Sequence, residues 1–210
     1  MKLIYLYQDV LSWNNFVGNK LNKKGLEELY TNLVKEETTE IFDSIKSNDS
    51  VEFLDGVCDT LVVGSFLLAV KKQKDFENYK LSFNKVNVEP SINYLETLIN
   101  ENVLNNIEEI LSLVENIGYS SGLNIELAFK EVMESNWSKF PLIEKVNPVE
   151  EIKYIEDQGR YKNINFEKNI DLNGNERYIF KDGNGKVVKP STFKEPQLKE
   201  FIPKDFKIFK

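Results

Sequence analysis

The chain has 210 residues, 41% of them hydrophobic and 12% aromatic, with a net charge of −7 and an isoelectric point of about 4.9. That suits one domain with a sizeable core rather than a disordered chain, and the acidic balance argues against binding nucleic-acid polymers through their phosphates. The chain has no histidine and one cysteine, Cys58, which excludes histidine-ligated zinc, Ser-His-Asp triads, Cys-His dyads and an intramolecular disulfide. Any metal would be held by oxygen, which selects Mg²⁺, Mn²⁺ or Ca²⁺.

Residues 6–17 predict a short helix ending near Gly18. Over residues 24–47, Leu26, Leu29, Tyr30, Leu33, Val34, Ile41 and Ile45 recur at three- and four-residue steps, the period of a helix face. The polar break at 47–50 supplies N-cap residues for a second long helix, from about Ser50 to Lys72. Its apolar run at 61–70 is about half the length a bilayer crossing needs, so it predicts a central, buried helix. No signal-peptide pattern is visible, so the expected location is the cytoplasm, of a host cell if the gene is carried by a phage.

Residues 73–89 read as a polar loop. Pro90 can open a helix at its first turn, and Ile92, Leu95, Leu98, Ile99, Val103 and Ile107 carry that helix to about Gly118. The stretch GYSSG at 118–122 breaks it, and a further helix follows over 123–140. Beyond this point lie five of the six prolines, so 141–210 reads as loop with short strands. A β-hairpin is expected there, with strands near 177–181 and 186–189 around an Asp-Gly-Asn-Gly turn. The expected fold is all-α: a helical core over 1–140 and a mostly irregular arm over 141–210 that packs on the core or on a partner subunit. Cys58 reads as a core residue.

Two acidic clusters stand out on neighbouring helices. EETTE places Glu36, Glu37 and Glu40 on one helix, with 36/40 and 37/40 close enough in spacing to share a face. EFLDGVCD places Glu52, Asp55 and Asp59 within a sector of roughly 60° on the next. The short connection between the helices favours antiparallel packing, which sets one cluster opposite the other. Lys46 lies outside this face and no arginine precedes Arg160. Asp55 and Asp59 also interrupt an otherwise apolar helix, where a charge is costly unless paired or metal-bound. A hard divalent cation is the natural counter-charge, and a carboxylate-held Mg²⁺ commonly shares itself with substrate phosphates.

These residues resemble the all-α nucleoside triphosphate pyrophosphohydrolases, the superfamily of MazG, the all-α dUTPases, dCTP pyrophosphatase and phosphoribosyl-ATP pyrophosphohydrolase. The family pattern is Glu-x-x-Glu followed on the next helix by Glu-x-x-Asp. Glu37 and Glu40 match the first half. For the second half, EFLD matches as Glu52 and Asp55, whereas DTLVVGSF aligns Asp59 with the final aspartate and puts Gly56 where a glutamate belongs. The segments FKEVMESNWSKF and GKVVKPSTFKEPQL look like the C-terminal half of phage and bacterial proteins of this type, with Asn136, Ser138, Lys139, Lys186 and Lys189 at matching places.

The resemblance implies a four-helix-bundle-type core, a homodimer or tetramer, and Mg²⁺-dependent hydrolysis of a (deoxy)nucleoside triphosphate to the monophosphate and pyrophosphate, with Mn²⁺ as a substitute. Glu37, Glu40, Glu52, Asp55 and Asp59 would hold the metal, and Glu36 or Glu37 would orient the attacking water. Lys139, Lys186, Lys189 and Asn136 would contact phosphate or sugar. Near the first helix, Asn14 and Asn15 have amides able to read a base edge, while Trp13 and Phe16 either stack on the base or pack in the core. Two other readings stay open: phosphoribosyl-ATP as substrate, and a non-catalytic helical interaction module with a degenerate acidic site.

Overall fold

The structure, a computed structural model, describes residues 3–74 and 84–208. Most of the polar loop expected over 73–89 falls outside the described residues; the helix after it begins at Val88. The described residues form six helices: α1 (Leu3–Phe16), α2 (Leu26–Ser47), α3 (Ser50–Lys72), α4 (Val88–Ser120), α5 (Ile125–Ser138) and α6 (Pro148–Asp157). A two-stranded antiparallel sheet, β1 (Asn165–Ile170) and β2 (Glu176–Lys181), follows α6.

Helix α3 is the axis of the molecule. Helices α1, α2, α4 and α5 all pack on it, and Phe53, Leu54, Leu61, Phe66 and Leu67 along its length are fully buried. Each such side chain contributes about 1.5–3 kcal/mol of transfer free energy. By length and composition α3 could cross a membrane, but here it is mostly enclosed by protein. Cys58 is buried in this core. Helix α4 breaks its regular backbone at Asn102, whose side chain caps the amide of Asn105 at 2.9 Å.

Gly118, expected to break its helix, is a packing residue instead. A Cβ on Gly118 would sit 2.5 Å from Cδ1 of Ile125, so this residue lets α4 and α5 touch and the helix runs on to Ser120. The turn itself falls at Gly122, with φ at +84°. Gly56 plays the same part between α2 and α3.

The C-terminal arm is more ordered than its prolines imply. Helix α6 has no forerunner in the sequence reading, although Asn147 caps it by accepting from the amides of Val149 and Glu150, and Pro148 occupies its first turn. The strand expected at 177–181 is present as β2, but its main partner is β1, upstream of it. Segment 186–189 meets β2 at a single bridge, Lys181–Val187. The Asp-Gly-Asn-Gly turn forms as expected, closed by the Gly185 amide donating to the Asp182 carbonyl at 2.9 Å. Pairing shifted because β2 is buried on its 178–180 stretch and strand 165–170 covers it along its whole length.

Tyr178, Phe180, Val188, Ile155 and Tyr161 form a small second core. Ile179 points the other way, onto Phe16, Val17 and Phe140, and joins the arm to the helices. The tail returns over the helical core, with Leu198 and Ile208 buried in it. The arm therefore packs on its own chain.

Candidate metal and phosphate site

Residues 48–49 alone connect α2 to α3. Asn48 adopts the left-handed conformation, and Asp49 caps α3 by accepting from the amides of Val51 and Glu52 at 2.9 and 3.1 Å. The two helices fold back antiparallel. They pack tightly at Gly56, where a Cβ would lie 3.0 Å from Cγ1 of Ile41, 3.1 Å from its amide nitrogen and 3.4 Å from the carbonyl oxygen of Glu37. A glutamate at 56 would press its Cβ onto α2 and push the helices apart. This position is a helix contact, and the acidic residues of α3 are Glu52, Asp55 and Asp59 on either side of it.

The approach presses the two clusters together. Burial, then the charges of Asp59, Glu40, Glu36 and Asp55, push the Glu37 carboxyl up to about 8. Burial and Asp55 raise Asp59 to about 7, with Lys139 and Lys189 opposing the shift. Burial, Glu52, Glu40 and Glu195 raise Asp55 to about 6, with Lys189 opposing. Glu40 is raised by burial and by Glu36 and Glu52. All six acidic residues singled out in the sequence thus share one electrostatic network. Within it Glu37, Asp55 and Asp59 are half-buried, while Glu36, Glu40 and Glu52 form an exposed rim.

Lys139 and Lys189 lie near enough to act on the same cluster. Lys139, at the end of α5, donates to Oδ1 of Asn136 at 2.7 Å. Its pKa is lowered by burial and held up by Asp59, and Lys189 and Lys186 also act on it. Lys189 donates to Glu195 at 2.9 Å and sits 4.1 Å from the ring centroid of Phe193. Lys139 lies 5.8 Å from the same ring and 6.0 Å from the Trp13 ring, at the outer limit of a cation–π contact. The arm is fastened here: Thr192 Oγ1 donates to the Ser138 carbonyl at 3.0 Å, and the Lys194 amide donates to Ser138 Oγ at 2.9 Å.

The base-reading residues fare differently. Asn14 is 1% exposed; its amide donates to the Val10 carbonyl, and its oxygen accepts from Tyr30 and Asn19. It is committed to holding α1 against α2. Asn15 is exposed and makes no side-chain hydrogen bond to the cluster. Asn136 supports Lys139 and, through its carbonyl, accepts from the Trp13 indole at 3.1 Å. Phe16 packs against Trp137 and Phe140 in the interior, whereas Trp13 borders Lys139. Lys186 is exposed on the Asp182 turn. Sequence reasoning missed Phe193 and Glu195, which lack any helical or strand period to mark them; their proximity to the conspicuous Lys189 was the available signal.

The donor set, carboxylates only, suits a hard divalent cation. Among the described residues no group of three acidic side chains is arranged as a ready-made ligand set. Burial first, and repulsion between the carboxylates second, raise their pKa values; a bound cation would offset both by favouring the charged form. Comparison of the chain with protein-family models, curated proteins and solved structures returns no match.

Proposed function

We propose that the protein hydrolyses a nucleoside or deoxynucleoside triphosphate to the monophosphate and pyrophosphate, on a helical core of the all-α pyrophosphohydrolase type. The observation that supports this most is the meeting, across Gly56, of two acidic helices whose carboxyls resist ionisation, with Lys139 and Lys189 beside them. Glu37, Glu40, Asp55 and Asp59, with Glu52 at the rim, would hold Mg²⁺ or Mn²⁺. When bound there, the cation supplies charge neutralisation at the phosphate oxygens.

The chain's own residues do the rest. Lys139, fixed by Asn136, presents a positive point charge to the polyphosphate, and Lys189 does so from the arm. Glu36 or Glu37 accepts a hydrogen bond from the attacking water, aligns it on the phosphorus and takes its proton; Glu37 lies deeper and is the better shielded. Trp13 and Phe193 supply apolar surface beside the two ammonium groups. The arm, tied to Ser138, keeps bulk water from one side of the site. The active form is a dimer or tetramer.

The test is pyrophosphate release with Mg²⁺ from the common dNTPs, dUTP, the NTPs and phosphoribosyl-ATP, with Asp59→Asn as control. Release from one substrate class, abolished in the variant, supports the reading. Metal binding without turnover on any of them overturns it in favour of an acidic interaction module.

A further inference from the structure

Glu195 has no role in the hydrolysis above, yet it adds a carboxylate beside a cluster already crowded with them. Its charge acts on Asp55 and on Lys139. Among the described residues its ion pair is with Lys189. We propose that Glu195 is an internal stand-in for a substrate phosphate: it holds Lys189 in the substrate-free protein and is displaced when a polyphosphate binds. The proposal rests on the reading of the site as one that takes a polyphosphate.

Three observations carry it. First, the backbone around the two residues is pinned. The Ser191 amide and hydroxyl both donate to Glu151, Thr192 and Lys194 bond to Ser138, and the Gln197 amide donates to Glu131 at 3.0 Å. Displacement therefore needs only a side-chain rotation. Second, the pair is asymmetric. The Glu195 side chain is 67% exposed and Lys189 34%, and Lys189 also rests on the Phe193 ring. When the pair parts, glutamate swings into water and the lysine stays. Third, an exposed ion pair of this kind is weak, so an anion of several charges outcompetes it while a singly charged one gains little. The same return of Glu195 to Lys189 would help expel product.

The probe is inorganic pyrophosphate with Mg²⁺, titrated calorimetrically at fixed pH and ionic strength into the full chain, Glu195→Gln, Lys189→Ala and the double variant. Glu195 is exposed, and melting curves check that each variant is folded. Glu195→Gln is expected to bind about fivefold more tightly, Lys189→Ala more weakly, and the glutamine substitution should have no effect once Lys189 is gone. Unchanged or weaker binding by Glu195→Gln overturns the proposal. So does equal tightening in the Lys189→Ala background, or binding to none of the four proteins. Turnover of triphosphates is scored separately, so loss of the hydrolase reading and loss of this one leave different records.

Discussion

The C-terminal unit and the α2–α3 face both place carboxylates against protein, and they treat them in opposite ways. In the C-terminal unit Asp171 accepts from the amides of Asn173 and Asn175, from the Asn175 side chain and from Nε of Arg177 at 2.7 Å. Although burial opposes ionisation there, these bonds hold its carboxyl down to about 2. Glu151, 5% exposed, is bonded by Ser191. On the α2–α3 face burial pushes the pKa values of Glu37, Asp55 and Asp59 up, and neighbouring carboxylates, Glu40 and Glu52 among them, push the same way. A fold that satisfies its acids in one region has left them in conflict in another. Such conflict costs stability and persists where a ligand relieves it.

The largest effects should separate the two regions. Asp59→Asn should reduce pyrophosphate release by at least about a hundredfold, since even groups behind a metal's ligands commonly matter by 10–100-fold. In metal-free buffer at pH 8 the same variant should melt no lower than the parent, because a repelling charge is gone. Asp171→Ala should do the reverse. Removing it strands Arg177 and two backbone amides and costs about 3 kcal/mol of stability, read by urea unfolding. Mg²⁺ at about 100 times its dissociation constant should stabilise the parent by about 2.7 kcal/mol; that increment should survive Asp171→Ala and vanish in Asp59→Asn. Equal behaviour of the two variants would break the comparison.

The helical part was legible because apolar residues recur at the helix period in α2 and α4, and because α3 is apolar nearly all round. The six acids could be placed together from spacing alone, since a connection of two residues leaves α2 and α3 little choice but to fold back on each other. The arm was harder. Its strand partner was misjudged because the Asp-Gly-Asn-Gly turn is a strong local signal, while pairing with β1 is decided by the burial of Tyr178, Ile179 and Phe180, a tertiary fact. Helix α6 is short, and its Asn-Pro start was masked by the prolines around it. Asn14 looked available for a base because nothing in the sequence says that Tyr30 and Val10 already use both ends of its amide.

Glu115 sharpens the comparison from a third position. It is 1% exposed on α4. It accepts from the Tyr7 hydroxyl of α1, and its other oxygen has no hydrogen-bond partner among the described residues. Burial raises its carboxyl to about 7, while Tyr119 on the same helix feels its charge. The folded pKa is above the unfolded one, so the contribution to stability is full below about 4.5 and is lost as pH rises through about 7. Glu115→Gln, which imitates the protonated form, should gain about 2 kcal/mol on the parent between pH 5 and 8. The acidic face slopes the same way in both proteins and cancels in the difference. A difference independent of pH would show that Glu115 is ionised in the core.

The smallest change tests the joint between packing and chemistry. In Gly56→Ala the new methyl meets Ile41 at 3.0–3.1 Å and the Glu37 carbonyl at 3.4 Å. Neighbours must yield by a few tenths of an ångström, and part of the resistance is backbone of α2. The expected loss is about 1–2 kcal/mol. The direction at the site is the informative part. Moving α2 away from α3 separates Glu37 from Asp59 and weakens their repulsion, so the raised Glu37 pKa falls back toward its ordinary value and the metal-free variant should lose less stability than the parent as pH rises from about 5 to 8. It also loosens the ligand set, so Mg²⁺ affinity measured by calorimetry should fall. If affinity is unchanged while stability drops, Gly56 only packs two helices, and the acidic face does not depend on their closeness. If both fall together, the contact that builds the core also builds the site.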